Sequence, residues 1–303
     1  MSTHTQPKTK KTKGPEIGLR QARQLCQMPE PKRLAFFAEG LPIILESAQG
    51  FWNAAQQIKD SSPRESAVLE GFAEEEAAKI LILMDAVRCP AKLVAGKLNV
   101  LIGWFYDHLA RLIYAEAADM KPTDLAELRR YVYQHRRSHS LEGHAGEYIM
   151  PNGPVYDRER KLYADIEAYD DSSLAWSAPS SAGSSFRWFL RSEPYVLRVT
   201  EAMHQLGMFS VPGLRATSQI WGTVEFKDTE SHQDGNALME ALVKRLILEK
   251  LPLDTASQKH VSTLHHDWQI PMYNLDLSPI VLSRQQLEDE QERAFWREFG
   301  DGP

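Results

Sequence analysis

The stretch from Arg129 to His139, RRYVYQHRRSH, sets four arginines and two histidines within eleven residues of a chain whose formal net charge is −6. These residue types suit RNA chemistry: an imidazole exchanges protons near neutrality, and a guanidinium grips a phosphate through paired N–H donors. They suit a helix end equally well, because cations complement the carbonyl end of the dipole. Arg130 and His135 are five helical steps apart, so on one ideal helix they diverge by about 140°. A single copy makes a poor active site unless an arginine reaches around, the helix breaks, or a second subunit contributes. His135 and His139 have an i,i+4 spacing that can hold a metal, but the intervening glutamate of a zinc-protease motif is missing. No metal site and no cofactor is expected.

A second group of polar residues falls where apolar ones belong. Glu76 lies seven residues after Leu69 and four before Ile80, on the inward stripe of its helix. Lys79 follows it, and Glu75 to Lys79 is an i,i+4 pair in the favourable order. His108 lies between Phe105 and Leu112 on the next helix, with Asp107 before it and Arg111 one turn after. Buried charges must be paired. The group reads either as a polar network fixing helix register or as an acid, a base and a cation gathered in a cleft.

The elements that must position these residues are helices. Short helices are expected over 16–38. A clear one starts near Leu41, with Pro42 in its first turn and Ile44, Leu45, Ala48, Phe51, Trp52 and Ala55 at three- and four-residue steps. Ser62-Pro63-Arg64-Glu65 is a capping-box sequence opening a helix to about Val87. A third helix is expected over 91–118, and a fourth from Thr123, with Leu125, Leu128 and Val132 inward and His135 and His139 continuing the stripe. The pattern predicts an antiparallel bundle. Beyond it, "RKLYADIEAY" and "LAWSAP" suggest a hairpin, "SAPSSAGSS" a linker, and "QIWGTVEF" a short strand. Helices are expected near 193–206, closed by Gly207, near 236–250, and after a Ser283/Gln286 capping box. The expected fold class is thus mainly α. The divisions read as a basic tail over 1–15, a bundle over 16–148, hairpin and linker over 149–185, and a mostly helical region with a few short strands over 186–303.

The composition, 43% hydrophobic and 25% charged over 303 residues, is that of a globular protein. No apolar run is long enough for a transmembrane helix, and the lysine-rich N-terminus lacks the apolar core of a secretory signal, so the expected location is the cytoplasm with no membrane partner. The acidic balance argues against a protein that coats nucleic acid, leaving only a local basic site. Cys26 and Cys89 form no metal spacing and read as packed thiols. With no phosphate loop, GxGxxG or GxSxG, nucleotide hydrolysis and serine-hydrolase chemistry lose their usual support.

The segments "ILESAQGFWNAAQQI", "AVLEGFAEEEAAKILILMDAV" and "FYDHLARLIYAE" together resemble the AbiV family of prokaryotic abortive-infection proteins, a branch of the HEPN helical-bundle superfamily. Glu75, Glu76 and Lys79 match its Glu-Glu-x-x-Lys element, His108 and Arg111 its His-x-x-Arg element, and "RKLYADIEAYDDSSLAWSAP" its post-bundle strand; the likeness covers roughly 41–180. The resemblance implies a HEPN-like bundle, a homodimer, and a phage-defence setting. It also implies metal-independent RNA cleavage through an Arg-x4-6-His motif whose copies meet across the dimer, a spacing that Arg130 and His135 satisfy. On that reading His135 transfers protons, and Arg130, with Arg129 or Arg136, holds the phosphate. Glu76, Lys79, His108 and Arg111 are then the supporting network, or the true site. The partner is RNA, with a phage or host protein as possible trigger. The rival is a non-catalytic sensor or protein-binding module that interferes with phage or host translation.

Overall fold

From Ala77 to Arg88 the sequence AAKILILMDAVR is apolar almost all round, and a helix of that kind belongs in the middle of a fold. A computed structural model, which describes residues 19–142, 148–168, 173–180, 193–228 and 230–299, places it there: every residue of the run except Lys79 is buried. The expected N-terminal tail, residues 181–185 of the linker, and His144 lie outside the described residues.

In chain order the described elements are α1 (Leu19–Gln27), α2 (Glu30–Ile58), α3 (Pro63–Arg88), α4 (Ala91–Tyr106), α5 (His108–Met120), α6 (Leu125–Arg136), β1 (His139–Glu142), β2 (Tyr148–Pro151), α7 (Gly153–Leu162), β3 (Asp165–Ala168), β4 (Leu174–Ser177), α8 (Tyr195–Gln205), α9 (Val211–Trp221), α10 (His232–Leu248), α11 (Gln258–Asp267) and α12 (Arg284–Phe299). The chain is mainly helical, and its described residues include two short antiparallel pairs, β1–β2 and β3–β4. The β3–β4 hairpin is the one expected from sequence, registered Ile166 to Trp176. α3 packs against α2, α4 and α5 and also against α8 and α9. One apolar cluster therefore runs from Ala22 to Leu277. No helix among the described residues is long and apolar enough to cross a membrane.

Several local expectations give way to packing. Pro42 lies inside α2 instead of opening a helix, because Leu34, Phe37, Leu41, Leu45 and Ala48 keep one buried stripe across it. The helix opens at Pro29, with Pro31 in its first turn. Ser62 precedes α3 without a side-chain cap, and Glu65 turns to Arg64, 2.5 Å away, instead of back to the Ser62 backbone. α6 starts as expected but is capped by Asp124, which accepts from Glu127 N, while the Glu127 carboxylate accepts from Thr123. "QIWGTVEF" forms no strand: it ends α9 and turns, stacking Trp221 on Phe226 at 5.7 Å. The helix expected over 91–118 breaks at Asp107, whose extended backbone ends α4 and whose carboxylate caps α5 at Ala110 N, 2.8 Å.

Cys26 and Cys89 are free thiols. Burial, reinforced by the nearby Asp85 carboxylate, pushes the Cys89 thiol up to about 12. It is therefore no nucleophile at neutral pH. Gly207 closes α8 with φ +76°, and a Cβ there would lie 2.1 Å from the Leu251 carbonyl oxygen. Gly207→Ala is expected to cost at least about 1–3 kcal/mol from backbone strain alone. Thermal unfolding that matches wild type would refute this.

Candidate functional site

The break at Asp107 decides what His108 can do. As the first residue of α5, its side chain is held back toward α3, where Glu75 is 3% exposed. His108 Nδ1 lies 2.7 Å from Glu75 Oε2, and Arg158 of α7 donates from Nε to Oε1 at 2.7 Å. Arg111 Nη2 lies 3.3 Å from Oε2 and 2.8 Å from His108 Nδ1. Those last two distances compete for one nitrogen. Nδ1 can donate to Glu75 or accept from Arg111 but not both; the shorter, charge-assisted contact with the carboxylate assigns the proton to Nδ1 and leaves Arg111 as an ion pair of Glu75 at 3.3 Å. His108 Nε2 then bears the lone pair. It has no partner among the described residues, on a side chain that is 51% exposed.

The arrangement joins an imidazole oriented by a buried carboxylate to two guanidiniums, from three helices of one chain. A carboxylate that fixes the tautomer and orientation of a histidine is the positioning element of general-base sites. Beside it Glu76 pairs closely with Lys79, whose Nζ lies 5.4 Å from the centre of the Phe105 ring.

The inward acid is thus Glu75, where the periodicity indicated Glu76, and Lys79 pairs with Glu76 where the spacing favoured Glu75. The two glutamates differ by 100° around a helix whose second half is apolar on every side, so the stripe has no sharp centre there. Arg158 stands beside Arg160 and Lys161 in the sequence. Nothing local tied it to α3.

The α6 arginines are mostly engaged elsewhere. Arg129 pairs with Asp228 at 2.6 Å; Arg136 binds the Ser278 carbonyl at 2.6 Å and the Asp276 carboxylate; Arg137 pairs with Glu290 of α12. The strap 276–282 also joins the backbone here, through Ser138 N to Ile280 O at 2.8 Å and Ile280 N to Arg136 O at 2.7 Å. Arg130 is exposed and makes no hydrogen bond or ion pair with another described residue. His135 packs against Tyr131, with ring centres 4.0 Å apart and planes tilted by 37°. Its Nδ1 donates to Tyr131 O at 2.9 Å, and its Nε2 lies 3.2 Å from Glu116. Both ring nitrogens face acceptors, so neither is open to a substrate proton, and Arg130 and His135 are not brought into one site within the chain. Among the described residues no group of three or more His, Cys, Asp or Glu side chains could hold a metal ion.

No protein-family model, no curated protein and no solved structure matches the chain.

Proposed function

We propose that the chain is an abortive-infection effector that cleaves RNA without a metal, acting from His108. The observation that carries the reading is the His108 ring, half in solvent and held through Nδ1 by buried Glu75, whose carboxylate also binds Arg111 and Arg158. In this reaction Nε2 takes the proton of a ribose 2′-OH. The 2′-oxygen bonds to the adjacent phosphorus, and the bond to the 5′-oxygen breaks. That oxygen leaves with a proton returned by the imidazolium or by water, giving a 2′,3′-cyclic phosphate and a 5′-OH end. The guanidiniums steady the charge that gathers on the phosphorane oxygens. The defence setting is supported by the AbiV resemblance, since Glu75 with Glu76 and Lys79, and His108 with Arg111, are the residues that carry that likeness. The site draws on one chain and so needs no second subunit to assemble.

The test incubates the purified full chain with single-stranded RNA in excess EDTA and identifies the product ends. Cleavage leaving 2′,3′-cyclic phosphate and 5′-OH ends is the expected result. Intact RNA, from a chain that still arrests growth when expressed, would move the reading to the rival binding module.

A further inference from the structure

Aromatic rings adjoin the charges around His108. α4 ends on Phe105 and Tyr106, immediately before the Asp107 break. Phe105 is half-buried under Lys79, and Lys79 pairs with Glu76, the sequence neighbour of the carboxylate that holds His108. Tyr106 packs edge-on against Phe105, with centres 5.1 Å apart and planes at 71°, yet remains 54% exposed. An exposed aromatic residue on its own means little. The ground beside this one is also bare. A helical side chain leans over the turn N-terminal to its own Cα, and one turn before Tyr106 stands Gly103, exposed, where a Cβ would meet nothing within 4 Å. A planar group can therefore approach a tyrosine ring two residues along the chain from His108, with no side chain at Gly103 in the way.

We propose that Tyr106 is a stacking platform for a nucleobase next to the phosphate bound at His108, so that the site takes single-stranded in preference to duplex nucleic acid. This rests on the RNA reading above. Any base has a π-face, so such a platform gives affinity with little sequence preference. The bases of an A-form duplex are already stacked and cannot be offered to it. Together with Arg111 and Arg158, the platform sets one base and one phosphate in register with Nε2.

The test measures binding of a fluorescent, uncleavable 2′-O-methyl oligoribonucleotide, single-stranded or annealed to its complement. Tyr106→Ala is expected to weaken single-strand binding about tenfold or more, while Tyr106→Phe keeps it. Gly103→Leu, which fills the bare ground and at the same time raises helix propensity, is expected to weaken binding without loss of stability. Binding unchanged in Tyr106→Ala, or wild-type binding of duplex as tight as of single strand, overturns the stacking role and leaves the RNA reading standing. A wild-type chain that binds neither form overturns the RNA reading itself.

Discussion

Asp85→Ala is expected to cost about 3–5 kcal/mol, the range for removing one partner of a buried ion pair. Asp85 is fully buried; its Oδ1 accepts from Arg88 Nε at 2.6 Å, and its Oδ2 accepts from Tyr114 OH at 2.9 Å and Met272 N at 2.7 Å. Arg88, 2% exposed, also reaches the carbonyls of Trp268 and Ile270 at 3.4 and 3.2 Å, with the Trp268 and Trp221 rings 4.0 and 4.9 Å from its guanidinium carbon. Without the carboxylate, one guanidinium charge, one hydroxyl and one amide lose their partner together. Burial, and then the Asp85 charge, hold the Tyr114 phenol well above its ordinary value, so it stays a donor. A domain has about 5–15 kcal/mol to lose, so the variant should unfold at much lower urea, as read by tryptophan emission. Replacing Asp85 and Arg88 together by apolar residues of similar volume should cost less than Asp85→Ala alone. An unfolding free energy for Asp85→Ala within about 1 kcal/mol of wild type would show that the pair is not the clasp described.

His108→Ala is expected to lower RNA cleavage by about 10²- to 10⁴-fold, the usual worth of a positioned general base, with a stability loss of no more than about 1–3 kcal/mol for the hydrogen bond taken from Glu75, which keeps Arg111 and Arg158. Glu75→Gln keeps the shape but removes the charge that orients the ring and compensates Arg111 and Arg158. It should lower cleavage and stability together. His135→Ala provides the contrast. Its ring nitrogens are engaged by Tyr131 O and Glu116, so cleavage should persist. Loss of activity in His135→Ala with retention in His108→Ala would return the chemistry to α6.

Features set by a few neighbouring residues were readable in the sequence. The starts of α3 and α6, the Ser283/Gln286 cap of α12, the β3–β4 hairpin and the glycine closing α8 all follow from local chemistry. The pairing of an acid on one helix with His108 on the next was legible as a polar exception to two apolar stripes. What escaped depends on distance along the chain or on a conformational alternative. The break at Asp107 is one such case: an Asp-His pair interrupts an otherwise continuous pattern, and only the cap made to Ala110 N shows why the helix restarts there. The arginines of α6 looked like a free basic strip because Asp228, Asp276 and Glu290 stand 99, 140 and 153 residues away.

The Asp85 clasp has a consequence for synthesis. Its contact with Met272 spans 187 residues, so a ribosome must polymerise most of the chain before the buried carboxylate and guanidinium acquire their last partners. Until then the nascent N-terminal helices carry an incompletely satisfied ion pair, together with α6 arginines not yet neutralised from the C-terminal side. Burial of that pair must come late, because the loop-closing cost of a contact spanning 187 residues is met only once the C-terminal helices have been made. A frameshift or premature stop before Trp268 would release a polypeptide without the tryptophan that covers Arg88, which quality-control proteases should clear quickly.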